Sequence, residues 1–139
     1  MSSVSRPTAA TSAAERIEIV PIRRQHIAGF HAAVDAIAKE RRYLAMLEAP
    51  SFTRTRRLVL DSLRAGAVHV VAVMDDEVVG WCDLRPKTAP TLRHSAVLGM
   101  GIVPALRGQG IGSRMLAATL QMAQARGIRR AELHVRSDN

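Results

Sequence analysis

The chain has 139 residues, of which 47% are hydrophobic and 23% are charged, values that are ordinary for a single globular domain. No apolar run approaches the roughly 20 residues that span a bilayer, and the single cysteine excludes an internal disulfide and a cysteine-based metal cluster, so the cytoplasm is the expected compartment. The net charge of +8 comes from scattered basic residues, and one Trp, one Tyr and two Phe are too few for base stacking, which argues against nucleic acid as a partner.

The chain opens with a segment rich in Ser, Thr and Ala. Residues 1–14 lack the apolar stretch of a secretory signal, and we predict a disordered tail there, ahead of one domain at residues 15–139. Residues 16–22 alternate apolar and charged side chains as far as Pro21, which predicts an edge strand. Residues 25–42 carry apolar side chains at helical spacing, which predicts a first helix.

The middle of the chain predicts a second helix and a hairpin. Residues 53–64 have helical spacing, with Ser51 as the N-cap and Gly66 beyond the last turn. Residues 68–74 and 78–84 are rich in β-branched side chains and flank a short acidic turn, which predicts two antiparallel strands. We expect the buried face of the second helix to contain Leu58, Val59 and Leu63.

The most informative part of the chain lies in its last third. Residues 94–103 predict a fourth strand, residues 112–127 a third helix and residues 130–135 a fifth strand. A strand, a helix and a second strand in this order form a right-handed crossover, so we expect the fourth and fifth strands to be parallel.

A glycine-rich turn joins the fourth strand to the third helix. Gly108, Gly110 and Gly112 allow successive amides to converge, while Arg107 and the helix N-terminus add positive charge, a combination that binds phosphate or pyrophosphate. An ordinary strand-to-helix turn is the alternative interpretation. The turn lacks the lysine of the P-loop, and its glycine spacing differs from that of the dinucleotide fingerprint.

This turn, which reads Arg-x-x-Gly-x-Gly at residues 107–112, resembles the Arg/Gln-x-x-Gly-x-Gly/Ala signature of the GNAT family of N-acetyltransferases. The resemblance covers residues 16–139 and is most specific at residues 98–116. Residues 41–50 and 80–83 also resemble a bacterial branch of that family.

The resemblance implies an α/β fold of the GNAT type, with a mixed central sheet flanked by helices. It implies an acyltransferase that uses acetyl-CoA and no metal, and that acetylates a primary amine of a small molecule, an amino acid or a peptide. The amine attacks the thioester directly in this family, so Cys82 is interpreted as a packing residue rather than a nucleophile. A CoA-binding module without activity is the alternative hypothesis.

The resemblance also implies which residues hold acetyl-CoA. The fourth and fifth strands of the family splay apart, and the pantetheine arm pairs with exposed main chain that corresponds to Met100 and Ile102 here. We expect the fourth strand to bulge at Gly99 and Gly101. The expected cofactor-binding residues are Met100, Gly101, Ile102, Arg107, Gly108, Gln109, Gly110, Ile111, Gly112 and Ser113.

Catalysis is expected to depend on one backbone amide and one side chain of the fourth strand. The amide of Met100 would polarise the thioester carbonyl as an oxyanion-type donor. Several relatives carry a glutamate thirteen residues ahead of the loop arginine, and the corresponding residue here is His94, which suits a general base. The alternative is that His94 opens the strand and faces solvent.

Four residues are candidates for the acceptor site: Tyr43, Glu48, Trp81 and Asp83. Glu48 would bind a cationic amine or remain a solvated loop charge. Asp83 would supply a carboxylate to the site or cap its strand, and Tyr43 and Trp81 would line the pocket or pack in the core.

The resemblance leads to one further expectation about the C-terminal part of the fold. In relatives, a helix with a tyrosine general acid and two more strands follow the fifth strand, and the sequence to Asn139 contains neither; its single tyrosine is Tyr43. We therefore expect weak or absent turnover of this chain. We also expect a homodimer that covers the apolar side of the fifth strand at Leu133 and Val135.

Overall fold

A five-stranded sheet, in which the strands follow one another in chain order, organises the fold. The computed structural model describes residues 12–40, 50–86, 95–128 and 130–133. Its helices and strands are β1 (Ile17–Pro21), α1 (Ile27–Ala38), α2 (Phe52–Arg64), β2 (Val68–Met74), β3 (Glu77–Pro86), β4 (Ser95–Ile102), α3 (Ile111–Ala125) and β5 (Arg130–Leu133). None of the described helices is long and apolar enough to cross a membrane.

The strand pairing is antiparallel from β1 to β4 and parallel between β4 and β5. The predicted edge position of the first strand and the predicted parallel pair are both confirmed. The β2–β3 hairpin turns at Asp75 and Asp76, which have φ values of 50° and 66°. Positive φ at both central residues gives a two-residue turn the twist that the flanking strands need.

The sheet face that carries Val71 and Trp81 packs against α1 and α2. α1 buries apolar side chains at helical spacing, as predicted, namely Ile27, Phe30, Ala33, Val34, Ile37 and Ala38. The prediction that this helix reaches residue 42 is wrong, because α1 ends at Ala38 and the chain turns at Lys39 and Glu40.

α2 is capped as the sequence predicts. The Ser51 hydroxyl accepts a hydrogen bond from the Arg54 amide at 3.2 Å, and the chain leaves the helix through Gly66 at φ +91°. The predicted buried face is only partly right, since Val59 is buried but Leu58 and Leu63 are 49% and 36% exposed. The helix instead turns Thr55 and Val59, one turn apart, towards the core.

The opposite face of the sheet packs against α3. Alternate residues of β2 and β3 point to this side, where Val70 and Cys82 meet Ile111 and Met115 of the helix. The Thr119 hydroxyl is also buried, and it donates to the Met115 carbonyl at 2.8 Å, so its polar atom is satisfied within the helix.

The predicted bulges of the fourth strand are absent from β4. Its register with β3 runs without interruption from Ala96 to Ile102, so Gly99 and Gly101 are ordinary strand residues in their pairing. The register shift in this part of the sheet lies between Ala72 and Val73 of β2. The glycines of β4 instead leave room for side chains of β3.

Candidate functional site

The turn between β4 and α3 presents a helix N-terminus with exposed main chain. Gly108 and Gly110 have φ values of +78° and +80°, and a Cβ at either position would meet no atom within 4 Å, so the backbone conformation rather than space requires glycine. Gly110 is the N-cap of α3 and makes no side-chain cap hydrogen bond. Gly112 lies in the first turn, where φ is not positive. The first amides of α3 are therefore available to an anion.

Arg107 folds back against the protein. Its Nη1 and Nη2 donate to the two carboxylate oxygens of Glu40 at 2.9 and 2.8 Å, and its Nε donates to the Ile102 carbonyl at 2.8 Å. This bidentate pair ties the turn to the end of α1. Contact between Arg107 and a phosphate stays a prediction.

The remaining residues of the turn divide into exposed and buried positions. Gln109 and Ser113 are exposed, and the Gln109 side chain donates to the Ala105 carbonyl at 3.4 Å. Ile111 is 1% exposed in the core beside Met115, so only its main chain can take part in binding.

Beyond Leu98, β4 has no partner strand on its side away from β3 in the part of the chain that the structure describes. The Val103 amide donates to the Val79 carbonyl on β3, and because main-chain groups alternate along a strand, those of Met100 and Ile102 face away from β3. The described part of β5 pairs with β4 from Ser95 to Leu98. The amides of Met100 and Ile102 thus lie on the side where the sequence predicts pantetheine pairing.

Glycine at positions 99 and 101 makes room for side chains of β3. A Cβ on Gly99 would lie 2.6 Å from Oδ1 of Asp83, and one on Gly101 would lie 2.4 Å from the indole ring of Trp81. Asp83 and Trp81 therefore lean over β4 and occupy the face that β4 leaves bare. This close approach is the physical reason for the two glycines, in place of the predicted bulges.

A cavity of about 230 Å³ opens beside these side chains, between the sheet and the two N-terminal helices. Its apolar walls come from α1, α2 and Trp81, and β4 borders it at Gly99 and Met100. The described residues that line it are Phe30, Val34, Pro50, Thr55, Leu58, Val59, Ser62, His69, Trp81, Asp83, Arg85, Gly99 and Met100.

The cavity contains a histidine and an aspartate from neighbouring strands. His69 of β2 lies directly opposite Asp83 of β3. Burial raises the pKa of Asp83 to about 6, against the opposing effects of Arg85 and the Gly99 amide. Burial, with help from the charge of Arg85, lowers the pKa of His69 to about 4. Near neutral pH the aspartate is ionised and the histidine is neutral.

Cys82 lies on the other face of the sheet, away from the cavity, and is fully buried. Burial raises the pKa of its thiol to about 11, so the sulfur stays protonated at neutral pH. A protonated, buried thiol is a poor nucleophile, which agrees with its interpretation as a packing residue.

The structure brings together only some of the residues predicted for the site. Trp81, Asp83 and Met100 border one cavity. Trp81 was predicted either to line the pocket or to pack in the core, and it does both. The predictions for Tyr43, Glu48 and His94 concern positions outside the described residues.

Sequence reasoning missed His69. The sequence contains a feature that could have indicated this residue, because His69 is the single ionisable residue in the apolar run at residues 68–74. Its strand position alone did not reveal which carboxylate it faces.

A mixed sheet whose fourth strand leads into a glycine turn and a helix N-terminus is the architecture of acyl-CoA acyltransferases. The chain matches the Acetyltransferase (GNAT) family over residues 39–139, and it belongs to that family. The family transfers acyl groups from acetyl-CoA, and this chemistry is the general activity that membership implies.

Solved structures support the same fold. The acetyltransferase of the GNAT family from Streptococcus pneumoniae is 19% identical, with 88% of this chain and 77% of that chain covered and a TM-score of 0.80. Ribosomal-protein-alanine N-acetyltransferase from Brucella melitensis is 20% identical, with 88% and 76% covered and a TM-score of 0.81.

A third similar structure was solved with acetyl-CoA. The GNAT superfamily phosphinothricin acetyltransferase from Sinorhizobium meliloti is 16% identical, with 86% of this chain and 66% of that chain covered and a TM-score of 0.80. At these identities the three structures establish the fold. No curated protein sequence matches this chain.

Proposed function

We propose that this protein transfers the acetyl group of acetyl-CoA to a primary amine of a small molecule, an amino acid or a peptide. One observation carries this proposal: the main-chain groups of Met100 that face away from β3, which have no partner strand among the described residues, adjoin a cavity that contains an ionised carboxylate. These main-chain groups suit an acyl thioester, and the carboxylate suits an ammonium group.

The turn at residues 107–112 fits the pyrophosphate of coenzyme A. Two left-handed glycines and an N-terminus of α3 without a side-chain cap offer amides to an anion, and α3 has no acidic residue in its first turn. The helix dipole adds attraction for negative charge at the same point. Arg107 contributes positive charge nearby while it pairs with Glu40.

Met100 supplies the group that polarises the thioester. Its amide faces away from β3, and a donor placed at the carbonyl oxygen stabilises the negative charge that develops as the amine attacks. No covalent intermediate on the protein is required, since the amine forms the new C–N bond directly. The protonated thiol of Cys82 is consistent with this route.

The first experiment is a calorimetric titration with acetyl-CoA, followed by a product assay with a pooled library of amines. We expect saturable binding and slow formation of at least one acetylated amine, in keeping with the weak turnover expected from the sequence; mass spectrometry detects the product. Binding without any product would contradict the enzyme and favour a CoA-binding module. Failure to bind acetyl-CoA would contradict both.

We propose that His94, which directly precedes β4 in the sequence, acts as a relay that passes the proton of the amine through water to solvent. We expect His94→Ala to lower the acetylation rate at neutral pH by about ten- to a hundredfold, with little change in acetyl-CoA affinity. The measurement is kcat/KM as a function of pH, with the dissociation constant measured in parallel. An unchanged pH profile would remove His94 from this role.

A further inference from the structure

Two polar atoms in the cavity lack partners among the described residues. Oδ1 of Asp83 and Nε2 of His69 are buried and make no hydrogen bond. Buried polar atoms in folded proteins are nearly always paired, so two unpaired atoms in one cavity indicate a place where a ligand completes the bonding.

Strand register places these two side chains next to each other. The Ile22 amide donates to the His69 carbonyl, so the main chain of His69 faces β1 and its pair with Asp83 is of the non-hydrogen-bonded type. Side chains of such pairs approach most closely, with Cα atoms about 4.5 Å apart. The Phe30 ring packs edge-on against His69 at 4.7 Å and against Trp81 at 5.5 Å, which holds the imidazole in position.

The charges of the cavity select the kind of ligand. Among the described residues that line it, the titratable or charged ones are His69 from β2 and Asp83 and Arg85 from β3. The other elements packed against it add apolar side chains, with two hydroxyl groups from Thr55 and Ser62 of α2. An ionised carboxylate whose Oδ1 has no partner, beside a neutral imidazole whose Nε2 has none, suits a ligand with a positive charge and several N–H groups.

The size and walls of the cavity limit the rest of the ligand. Its volume of about 230 Å³ lies below the roughly 300–1,000 Å³ typical of sites for drug-sized molecules. Its sides are apolar, formed by residues such as Val34, Val59 and Trp81. A small molecule with a compact aliphatic or aromatic body fits this space.

We propose that Asp83 and His69 form the acceptor site, in which Asp83 binds the ammonium group of a small, apolar primary amine and takes its proton. This inference rests on the proposed function and names its substrate class. The carboxylate leans over Gly99, next to Met100, so the amine is held beside the strand whose amide faces the thioester.

Acetyl transfer removes two protons from the ammonium group. Asp83 accepts one proton from the ammonium group, and the freed nitrogen lone pair forms a bond to the thioester carbon. The C–S bond breaks with its electron pair on sulfur, and the second proton lost from nitrogen converts the thiolate to the thiol. Asp83 then releases its proton to water. The apolar walls favour the neutral acid and amine over the ion pair, because charges are poorly solvated there.

The substrate test compares compact apolar monoamines with a polyamine and a peptide. We expect isopentylamine and phenylethylamine to be acetylated with kcat/KM values about tenfold or more above those of spermidine and of an alanyl peptide, because only the compact apolar amines fill the cavity without burying a polar group. The measurement is the initial rate of thiol release, with products identified by mass spectrometry. A preference for the polyamine or the peptide would overturn the assigned class.

The residue test uses Asp83→Asn, which keeps the shape of the side chain and removes its ability to accept the proton. We expect kcat/KM to fall about a hundredfold and the rise in rate through pH 6 to disappear, while acetyl-CoA affinity stays unchanged. Asp76→Asn, in the exposed β2–β3 turn, is the matched control and should retain wild-type rates. His69→Gln should raise KM more than it lowers kcat, because His69 binds the amine and Asp83 takes the proton.

The outcomes separate this inference from the proposed function. If no amine is acetylated although acetyl-CoA binds, the proposed function fails. If amines are acetylated but Asp83→Asn keeps its rate and its pH profile, the function stands and the assignment of Asp83 is wrong. Circular dichroism and thermal unfolding of each variant establish that it is folded.

Discussion

Glycine occupies two positions of β4 because side chains from β3 need the space. A Cβ on residue 99 would come within 2.6 Å of Oδ1 of Asp83, and a Cβ on residue 101 would clash with the ring of Trp81. Neither glycine has a positive φ, so the requirement comes from contact and not from backbone conformation. A bare strand face lets a carboxylate and an indole reach the edge where acyl transfer is proposed.

Gly99→Ala tests this arrangement at a single methyl group. We expect the added Cβ, only 2.6 Å from Oδ1, to push the Asp83 carboxylate aside and lower kcat/KM for the amine by about tenfold or more. The dissociation constant of acetyl-CoA should change less than the rate constant. Both are measured by steady-state kinetics and calorimetry.

A double-mutant cycle provides the control for this variant. In a protein that already carries Asp83→Asn, Gly99→Ala should cause little further loss of activity, because the group that it displaces no longer accepts a proton. Additive losses in the two variants would show that Gly99 matters for another reason.

At the scale of elements, the turn between β4 and α3 is held by backbone conformation. Gly110 begins α3 with a left-handed conformation that turns the first amides of the helix outwards. Gly66 ends α2 in a similar conformation at φ +91°, far from this turn in the fold, and likewise has no atom within 4 Å of its Cβ position. The chain thus contains a matched pair of left-handed glycines, of which one belongs to the proposed binding site.

We expect Gly110→Ala to weaken acetyl-CoA binding by about tenfold, because alanine in the left-handed conformation is strained and the turn will relax. Gly66→Ala carries a similar strain and should lower the melting temperature comparably, yet leave acetyl-CoA affinity unchanged. Calorimetry and thermal unfolding measure the two effects. Equal losses of affinity in both variants would contradict a specific role for the turn.

The bidentate ion pair between Arg107 and Glu40 also holds this turn in place. It joins two elements that are distant in sequence, and its side chains are 31% and 23% exposed, so the pair is only partly screened by solvent. It fixes the turn relative to the end of α1.

We expect Glu40→Gln to cost about 1 kcal/mol of unfolding free energy and to weaken acetyl-CoA binding several-fold, because the turn loses its tether. Asp61→Asn, which breaks the more exposed pair with Arg64, is the control and should change neither quantity. Tighter binding in Glu40→Gln would instead indicate that Arg107 acts mainly as a phosphate ligand, whose charge Glu40 offsets.

At the scale of the whole molecule, His69 and Asp83 have opposite effects on stability. The lowered pKa of His69 stabilises the fold above its ordinary pKa of 6.5, and this stabilisation is lost as the pH falls towards 4. The raised pKa of Asp83 stabilises the fold below its ordinary pKa of 3.8, and this stabilisation is lost as the pH rises through about 6. Between pH 4 and 6 the two contributions largely cancel.

Asp83→Asn removes the pH-dependent contribution of Asp83 to stability and leaves that of His69. At about pH 7.5 we expect the variant to be more stable than the wild type by about 3 kcal/mol, because a buried charge is replaced by a neutral amide and each pKa unit corresponds to 1.36 kcal/mol. The difference should shrink as the pH falls and vanish near pH 4, where Asp83 itself is neutral in the folded protein. Urea unfolding at both values measures it, and a gain that is independent of pH would contradict the assigned titration.

The sequence by itself determined the local features: the strand, glycine turn and helix within residues 95–125, the cap at Ser51, the hairpin and the family. These follow from short-range spacing, because hydrophobic period, caps and turn chemistry act over a few residues. Only the tertiary structure decided that His69 faces Asp83, that Asp83 leans over Gly99, and that Arg107 pairs with Glu40, 67 residues away. Strand register and helix docking set such contacts, since both depend on how the whole core packs rather than on any local pattern.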